Sequence, residues 1–316
     1  MNDKKKVHSK HNSYGRKGIR YFQRLDYEII DLLSDKYSVV DLCDIMDINR
    51  SGYYKWIKNN CYPSPSKARR MLTMDLFKQY HEKHKTHGYR WLNAKIKLDN
   101  PDFQCSDGYA FRICNYLGLQ SQAKHVRNKY KKPRNDSKNY NNLILNKIAP
   151  QKPFEVVVSD MTTIKHKYTY YEITWYMDLF NNEIISFGLS KGRGNPKTYY
   201  DGLKDLINQK QQYKDLITIL HSDHGSVYAS RIYNNILKTN GFIHSMSAPG
   251  TPTENGAMES INGWTKEELL QDLMIDECDD INDSINKYIH YFNYERPAAA
   301  LNYLTPIQYK HKYLNC

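Results

Sequence analysis

Four residues far apart in the sequence stand out by type and spacing: Asp160, Asp223, Glu259 and Lys266. Asp160 closes the β-rich run FEVVVSD, and Asp223 follows the apolar ITIL within HSDHG, where Gly225 frees the backbone. Glu259 opens a helix after a Gly/Pro-rich loop. Each alone is ordinary, because an Asp at a strand end is more often a cap or a turn residue than a ligand. Together, three converging carboxylates offer hard oxygen donors to divalent cations. Two such ions ~3.5–4 Å apart can activate an attacking oxygen and stabilise a leaving one in phosphodiester chemistry. Thirty-five residues separate Asp223 from Glu259, and Lys266 follows Glu259 by seven. Seven residues are two helical turns, so Lys266 is expected to face the same way and clamp a DNA phosphate beside the metals.

The elements that must position these side chains begin where the apolar period shortens to that of strands. FEVVVSD (154–160) is one strand, ending in its carboxylate, and YYEITWYMDLF and NEIISFGLS pair as a hairpin around Asn181-Asn182. NPKTYYDGLKDLINQK is a helix opened by Pro196, and ITILHSD is the next strand. GSVYASRIYNNILKTNG is a helix stopped by Gly241, followed by a short strand, the loop and the helix of Glu259. Three strands and then alternating helices and strands make an α/β fold, a mixed sheet with flanking helices, over residues 151–275. A C-terminal helix and tail block fills 276–316.

The front of the chain is different in kind. The net charge is +12, and residues 1–148 hold 30 Lys+Arg against 14 Asp+Glu, while the remainder is net negative. A basic half joined to a near-neutral half suggests a polyanion-binding module. Residues 1–20 read as a basic disordered tail. Within 21–60, Leu25, Ile29, Leu32 and Leu33 share a helical face, and SVVDLCDIMDINRSGYYKWIKN reads as helix, Asp47-Ile48-Asn49 turn, helix, with Asn49 or Ser51 as cap. That helix-turn-helix-like segment offers Arg50 and Tyr53 to DNA. CYPSPSK (61–67) is a linker. The helical domain of 67–120 comprises KARRMLTMDLFKQYHEKH, HGYRWLNAKIKLD and SDGYAFRICNYLGL, the last capped by Ser106 and stopped by Gly118, and offers Arg90 and Arg112. His81, His84 and His87 invite a metal reading, but with no further ligand at metal spacing they are expected to be surface or DNA-facing. The basic linker 121–150 offers Lys124, Arg127, Lys129, Lys131, Lys132 and Arg134. No apolar run approaches the ~20 residues of a membrane span, the basic N-terminus lacks the apolar stretch of a secretory signal, and six scattered cysteines fit reduced thiols. A cytoplasmic place is expected.

SDMTTI, HSDHGSVYAS and GTPTENGAMESINGWTKEEL resemble the three catalytic blocks of DDE transposases related to retroviral integrases, and more narrowly the second-frame transposase of the insertion-sequence family three. Asp160, Asp223, Glu259 and Lys266 occupy that family's positions. The closing YFNYERPAAALNYLTPIQY, the DINRSGYYKW segment and the HGYRW and YAFRICNYLGL segments extend the resemblance over roughly 37–309. Ala298-Ala299-Ala300 depart from it, standing where the family often has His or Gln after Arg-Pro. The resemblance implies a ribonuclease-H-like integrase core binding Mg2+, with Mn2+ able to substitute, at Asp160, Asp223 and Glu259. It implies cleavage at the ends of the element, 3′-hydroxyl strand transfer into target DNA, a homo-oligomer on DNA, and fusion or association with an upstream-frame helix-turn-helix protein. The competing expectations are a related nuclease without joining activity and a non-catalytic DNA-binding repressor.

Overall fold

The protein was described from a computed structural model, covering residues 16–61, 65–123, 143, 150–247 and 256–314, with 16–23, 60–61 and 256–260 described by backbone alone. Two compact units divide the chain, 1–73 and 74–316.

The first unit holds α1 (Arg16–Leu33), α2 (Val39–Ile45) and α3 (Arg50–Cys61). The first helix begins inside the segment expected to be a disordered tail. Ser38 caps α2 by accepting from the Val40 amide. Asn49 is the cap of α3, its Oδ1 accepting from the Ser51 amide at 2.9 Å. Between them Asp47 turns the chain at φ 54°, a left-handed conformation that Asp tolerates. Ile30, Leu42, Cys43 and Tyr53 form the core of this unit. Gly52 makes room for the Tyr27 ring, whose hydroxyl would stand 2.5 Å from a Cβ there and would have to shift. The expected linker is shorter than CYPSPSK: Cys61 ends α3, and Pro65 opens α4 (Pro65–Lys83), a first-turn position that suits a residue without an N–H.

The second unit begins with three-helix packing of α4 against α5 (Tyr89–Asp99) and α6 (Asp107–Leu117), around Phe77, Leu92, Ile96, Ala110 and Ile113. Ser106 caps α6 and Gly118, at φ 69°, ends it, as the sequence predicts. The sheet follows: β1 (Val156–His166), β2 (Thr169–Asp178), β3 (Glu183–Lys191), β4 (Thr218–Ser222) and β5 (Phe242–Met246), in the order β3-β2-β1-β4-β5. The first three strands are antiparallel neighbours, whereas β4 and β5 run parallel to β1. This is the mixed sheet with flanking helices that the sequence leads one to expect.

Successive residues of a strand point to opposite faces. Val157 joins Leu203, Leu206, Tyr228 and Tyr233 beneath α7 (Lys197–Lys210) and α8 (Arg231–Thr239). Val158 joins Trp175, Ile261, Leu269 and Ile285 beneath α9 (Gly256–Glu267) and α10 (Ile281–His290). The C-terminal block adds one π-helical turn, Tyr291–Glu295, and α11 (Pro306–Leu314). One strand boundary departs from the expectation. Asp160 does not end its strand; β1 continues six residues to His166 because β2 pairs with it antiparallel along that whole length.

Candidate active site

Asp160 and Asp223 owe their placement to a change in pairing. The parallel ladder between β1 and β4 ends at Ser159 opposite Ser222. Each Asp is the next residue after that pair, at the carboxyl end of the parallel ladder, the side on which α/β sheets commonly bind their ligands. Asp160 is half-buried and accepts from the Met161 amide at 2.9 Å through Oδ1. Its Oδ2 accepts from the Asn262 side chain at 2.7 Å, which fastens α9 to the site. Glu259 lies in the first turn of α9, three residues before Asn262, and residues three apart share a helical face. The Glu259 side chain lies outside the described residues. Among the described residues no group of three His, Cys, Asp or Glu side chains is arranged to hold a metal. The two described carboxylates are hard oxygen donors, which suits a divalent cation such as Mg2+.

HSDHG divides into supports and an exposed carboxylate. His221 is fully buried in β4, with Nδ1 2.9 Å from Ser245 Oγ. Ser222 Oγ lies 3.0 Å from His244 Nε2 and donates to the Asp223 carbonyl at 2.9 Å. His244 Nδ1 in turn meets Asn234 Oδ1 at 2.7 Å, so α8 braces the strand end through one imidazole. Burial first, and then His221 and His224, hold the His244 pKa down to about 4, which leaves the ring neutral near pH 7. Asp223 is exposed, and its Oδ1 accepts from the Gly225 amide at 3.1 Å. Gly225 serves that carboxylate by space: a Cβ would stand 3.1 Å from Asp223 Oδ1. On the other side, Ser159 Oγ shares a 2.7 Å hydrogen bond with the buried Tyr228 hydroxyl. Of these supports, the sequence singled out Gly225 alone.

The expected DNA contacts fare unevenly. Arg50, in the first turn of α3, is exposed. So are Arg90 and Arg112, which lie 5.5 Å and 5.7 Å over the rings of Tyr89 and Tyr109. Lys266 sits in the last turn of α9 and is half-buried. Tyr53 is a correction: at 1% exposure it is a core residue of the first unit, its hydroxyl 3.4 Å from Asp31, and it presents no face to DNA. Lys124, Arg127, Lys129, Lys131, Lys132 and Arg134 lie outside the described residues.

The histidines at every third position are the larger correction. They do not face solvent. His81 is buried at the end of α4, and His84 Nδ1 meets the Tyr291 hydroxyl at 3.3 Å. Burial, then His87 and Lys95, hold the His84 pKa down to about 4. The His87 ring is stacked 3.7 Å from Trp91 and 6.0 Å from Trp264, with Nε2 3.2 Å from Glu268 Oε1. Thr86 donates to Asp272 through its hydroxyl at 2.6 Å, and Trp91 Nε1 donates to the Pro297 carbonyl at 2.9 Å. The helical segment is thereby fastened onto the catalytic sheet's helices.

Glu268 also receives Arg296, whose Nε donates at 2.8 Å and 3.0 Å to its two carboxylate oxygens. Burial opposes the charge on Glu268, but the guanidinium and His87 outweigh it and hold the pKa down to about 2. The Arg-Pro of the C-terminal block therefore makes its contact through Arg296. Ala298-Ala299-Ala300 instead wall one side of a cleft of about 720 Å³ shared with Trp264 and Arg90.

Comparison with known proteins agrees with this arrangement. The chain matches the integrase core domain over residues 150–252 and again over 240–306. It is 32% identical over 225 residues to an uncharacterized transposase-like protein of Haemophilus influenzae, covering 71% of this chain and 98% of that one. It is 26% identical over 288 residues to the putative transposase InsK for insertion sequence element IS150 of Escherichia coli, covering 90% and 98%. Among solved structures, the magnesium complex of the HTLV-2 integrase catalytic core aligns at 18% identity and a TM-score of 0.39, over 51% of this chain and 98% of that one.

Proposed function

The chain belongs to the insertion-sequence transposases that carry an integrase core, and on that premise we propose that Asp160, Asp223 and Glu259 are its catalytic carboxylates. The enzyme is a DDE polynucleotidyl transferase acting in DNA transposition, and its family depends on divalent metal. Asp160, Asp223 and Glu259 would hold Mg2+, with Mn2+ as substitute; the bound ions lower the barrier by neutralising charge as a phosphodiester is attacked. The observation that carries the assignment is the pairing end at Ser159–Ser222, with α9 hydrogen-bonded to Asp160 through Asn262.

The residues of the chain then divide the work. Asp160 lies within β1 and Asp223 directly follows β4, so both backbones are anchored by the sheet, which is what a preorganised site requires. Glu259 comes from a helix seated on one of them. Lys266, two turns on, holds a phosphate of the terminal nucleotides and pulls the backbone toward the carboxylates. Arg50, Arg90, Arg112 and the basic stretch 124–134 neutralise phosphates farther along the DNA, an electrostatic contribution that sets register and affinity. The terminal 3′-hydroxyl attacks a target phosphorus; its O–P bond forms as the target's own P–O bond breaks. We place the working enzyme on DNA in the bacterial cytoplasm as a homo-oligomer, with an upstream-frame protein fused or associated. Among the described residues no helix is long and apolar enough to cross a membrane.

The test is an incubation of the full chain with labelled element ends, target DNA and Mg2+. Joined product supports strand transfer. Cleaved ends without joining would replace the proposal with a nuclease, and a mobility shift alone would replace it with a DNA-binding repressor.

A further inference from the structure

A helix is a nearly rigid rod, and a rod needs two fixed points before a side chain along it has a fixed place. The first fixed point of α9 is Asn262 on Asp160. The second lies just past its last residue, nine positions beyond Glu259, where the π-helical turn Glu268–Asp272 continues it. There Glu268, fully buried, takes Arg296 through both oxygens, and the Tyr288 hydroxyl donates to it at 3.0 Å. Arg296 arrives from the C-terminal block and is itself nine-tenths buried. His87 arrives from the helical segment, with Nε2 3.2 Å from the same carboxylate.

Resting on the active-site assignment above, we infer that Arg296 and Glu268 are positioning residues for the catalytic helix, and that His87 ties the helical segment into the same brace. The bidentate geometry matters here. Nε reaches both carboxylate oxygens and Nη2 lies 2.7 Å from Oε1, so two guanidinium nitrogens on one carboxylate fix the guanidinium plane and with it the rotation of the helix end, which a single point contact leaves free. Rotation of α9 about its axis moves Glu259 and Lys266 together relative to Asp160 and Asp223. The C-terminal Arg-Pro block, remote in sequence from every carboxylate of the site, thereby sets their geometry. The shared contact with His87 means that a shift of the helical segment is felt at the same helix.

The full chain is compared with its Glu268→Gln and Arg296→Lys variants. Glu183→Gln is the control, since Glu183 and Lys310 form another largely buried pair, at 3.0 Å, that ties α11 to β3 away from α9. Four quantities are measured: the melting temperature, its rise with Mn2+, end-DNA affinity, and joining across a Mn2+ series. Displacement of a ligand by about 1 Å costs on the order of 10²-fold in rate. Joining at limiting Mn2+ is therefore expected to fall by on the order of that factor in both brace variants, to recover in part at high Mn2+, and to leave end-DNA affinity within about twofold. Glu183→Gln is expected to lower the melting temperature with joining nearly unchanged. The double variant Glu268→Leu/Arg296→Met replaces the buried pair by apolar groups, an exchange that commonly restores stability; joining is expected to stay low. The inference is overturned if joining tracks melting temperature across all variants, if the half-saturating Mn2+ does not move, or if the apolar double variant joins DNA normally. The Mn2+-dependent rise in melting temperature reads the brace even if the wild-type chain joins nothing, a result that would sink the proposed function instead.

Discussion

Asn262 offers the most direct handle on the site, because it touches a proposed metal ligand without being one. Its Nδ2 donates to Asp160 Oδ2 at 2.7 Å, while Oδ1 is occupied by the Met161 amide. Each carboxylate oxygen thus has one of these donors fixing its direction. Removing Asn262 by substitution with Ala leaves one. A hydrogen bond to a charged group is worth about 1.5–3 kcal/mol; Asp160 is only half-buried, so the lower end of that range applies. About 1.4 kcal/mol corresponds to tenfold in an equilibrium constant. Loss of a group that orients a metal ligand typically weakens binding about 10- to 100-fold. Both routes lead to a metal affinity lowered at least about tenfold. The assay is Mn2+ titration of the full-length protein by calorimetry, paired with end-DNA binding in the absence of metal. The expected outcome is a weaker Mn2+ isotherm with unchanged DNA affinity. An isotherm superimposable on that of wild type would refute the reasoning, since Asn262 would then hold the helix without influencing the carboxylate.

Other expectations follow from neighbouring parts of the molecule. Glu259→Gln keeps shape and removes charge, so joining should be abolished while end-DNA affinity is kept or slightly raised; joining by this variant would show that the triad is misassigned. Lys266→Ala should weaken end binding and reduce the slope of log affinity against log salt by about one, and an unchanged slope would reduce Lys266 to a solvated helix residue. Glu268 has a folded-state pKa depressed to about 2 from an ordinary 4.5, so its contribution to stability is complete above about pH 4.5 and is lost as pH falls toward 2. The difference in melting temperature between wild type and Glu268→Gln should therefore shrink across that acid window, and a constant difference would contradict the charged pairing. Truncation should test the docking of the helical segment: removing residues 1–64 should leave a folded chain, whereas removing 1–148 should strip Trp264 of its His87 neighbour and leave Glu268 without His87, giving a lower melting temperature. Equal melting temperatures for both truncations would refute the docking role given to the helical segment.

The parts of the fold that were legible in the sequence are those set by local pattern. β-branched runs announced the strands, Ser106 and Gly118 announced the ends of one helix, and the separation of Asp223 and Glu259 offered a candidate site through its resemblance to a family. Strand length was legible only where one chain's pattern decided it. β1 passes through Asp160 because β2 lies antiparallel beside it, and a partner strand is not visible in the period of the first. The histidines show the same limit more sharply. His87 is polar, follows a helix end and sits in a basic stretch, and all three cues point to solvent. It is buried because Trp91 and Trp264 flank its ring and the Glu268 carboxylate lies 3.2 Å from its Nε2. Trp264 and Glu268 lie more than 170 residues away. A buried ionisable side chain is tolerated only where its partner is also buried, so neither member signals its burial alone. Tyr53 was misread for the related reason that an aromatic on a basic helix serves a core or a nucleic acid equally well until its neighbours are known. The same dependence on partners explains why candidate carboxylates could be proposed from the sequence and their supports could not. A metal ligand set has fixed chemistry and, within a family, fixed spacing. A brace such as Arg296 on Glu268 needs only complementary charge at whatever sequence distance the fold brings together, and a single sequence carries no mark of that distance.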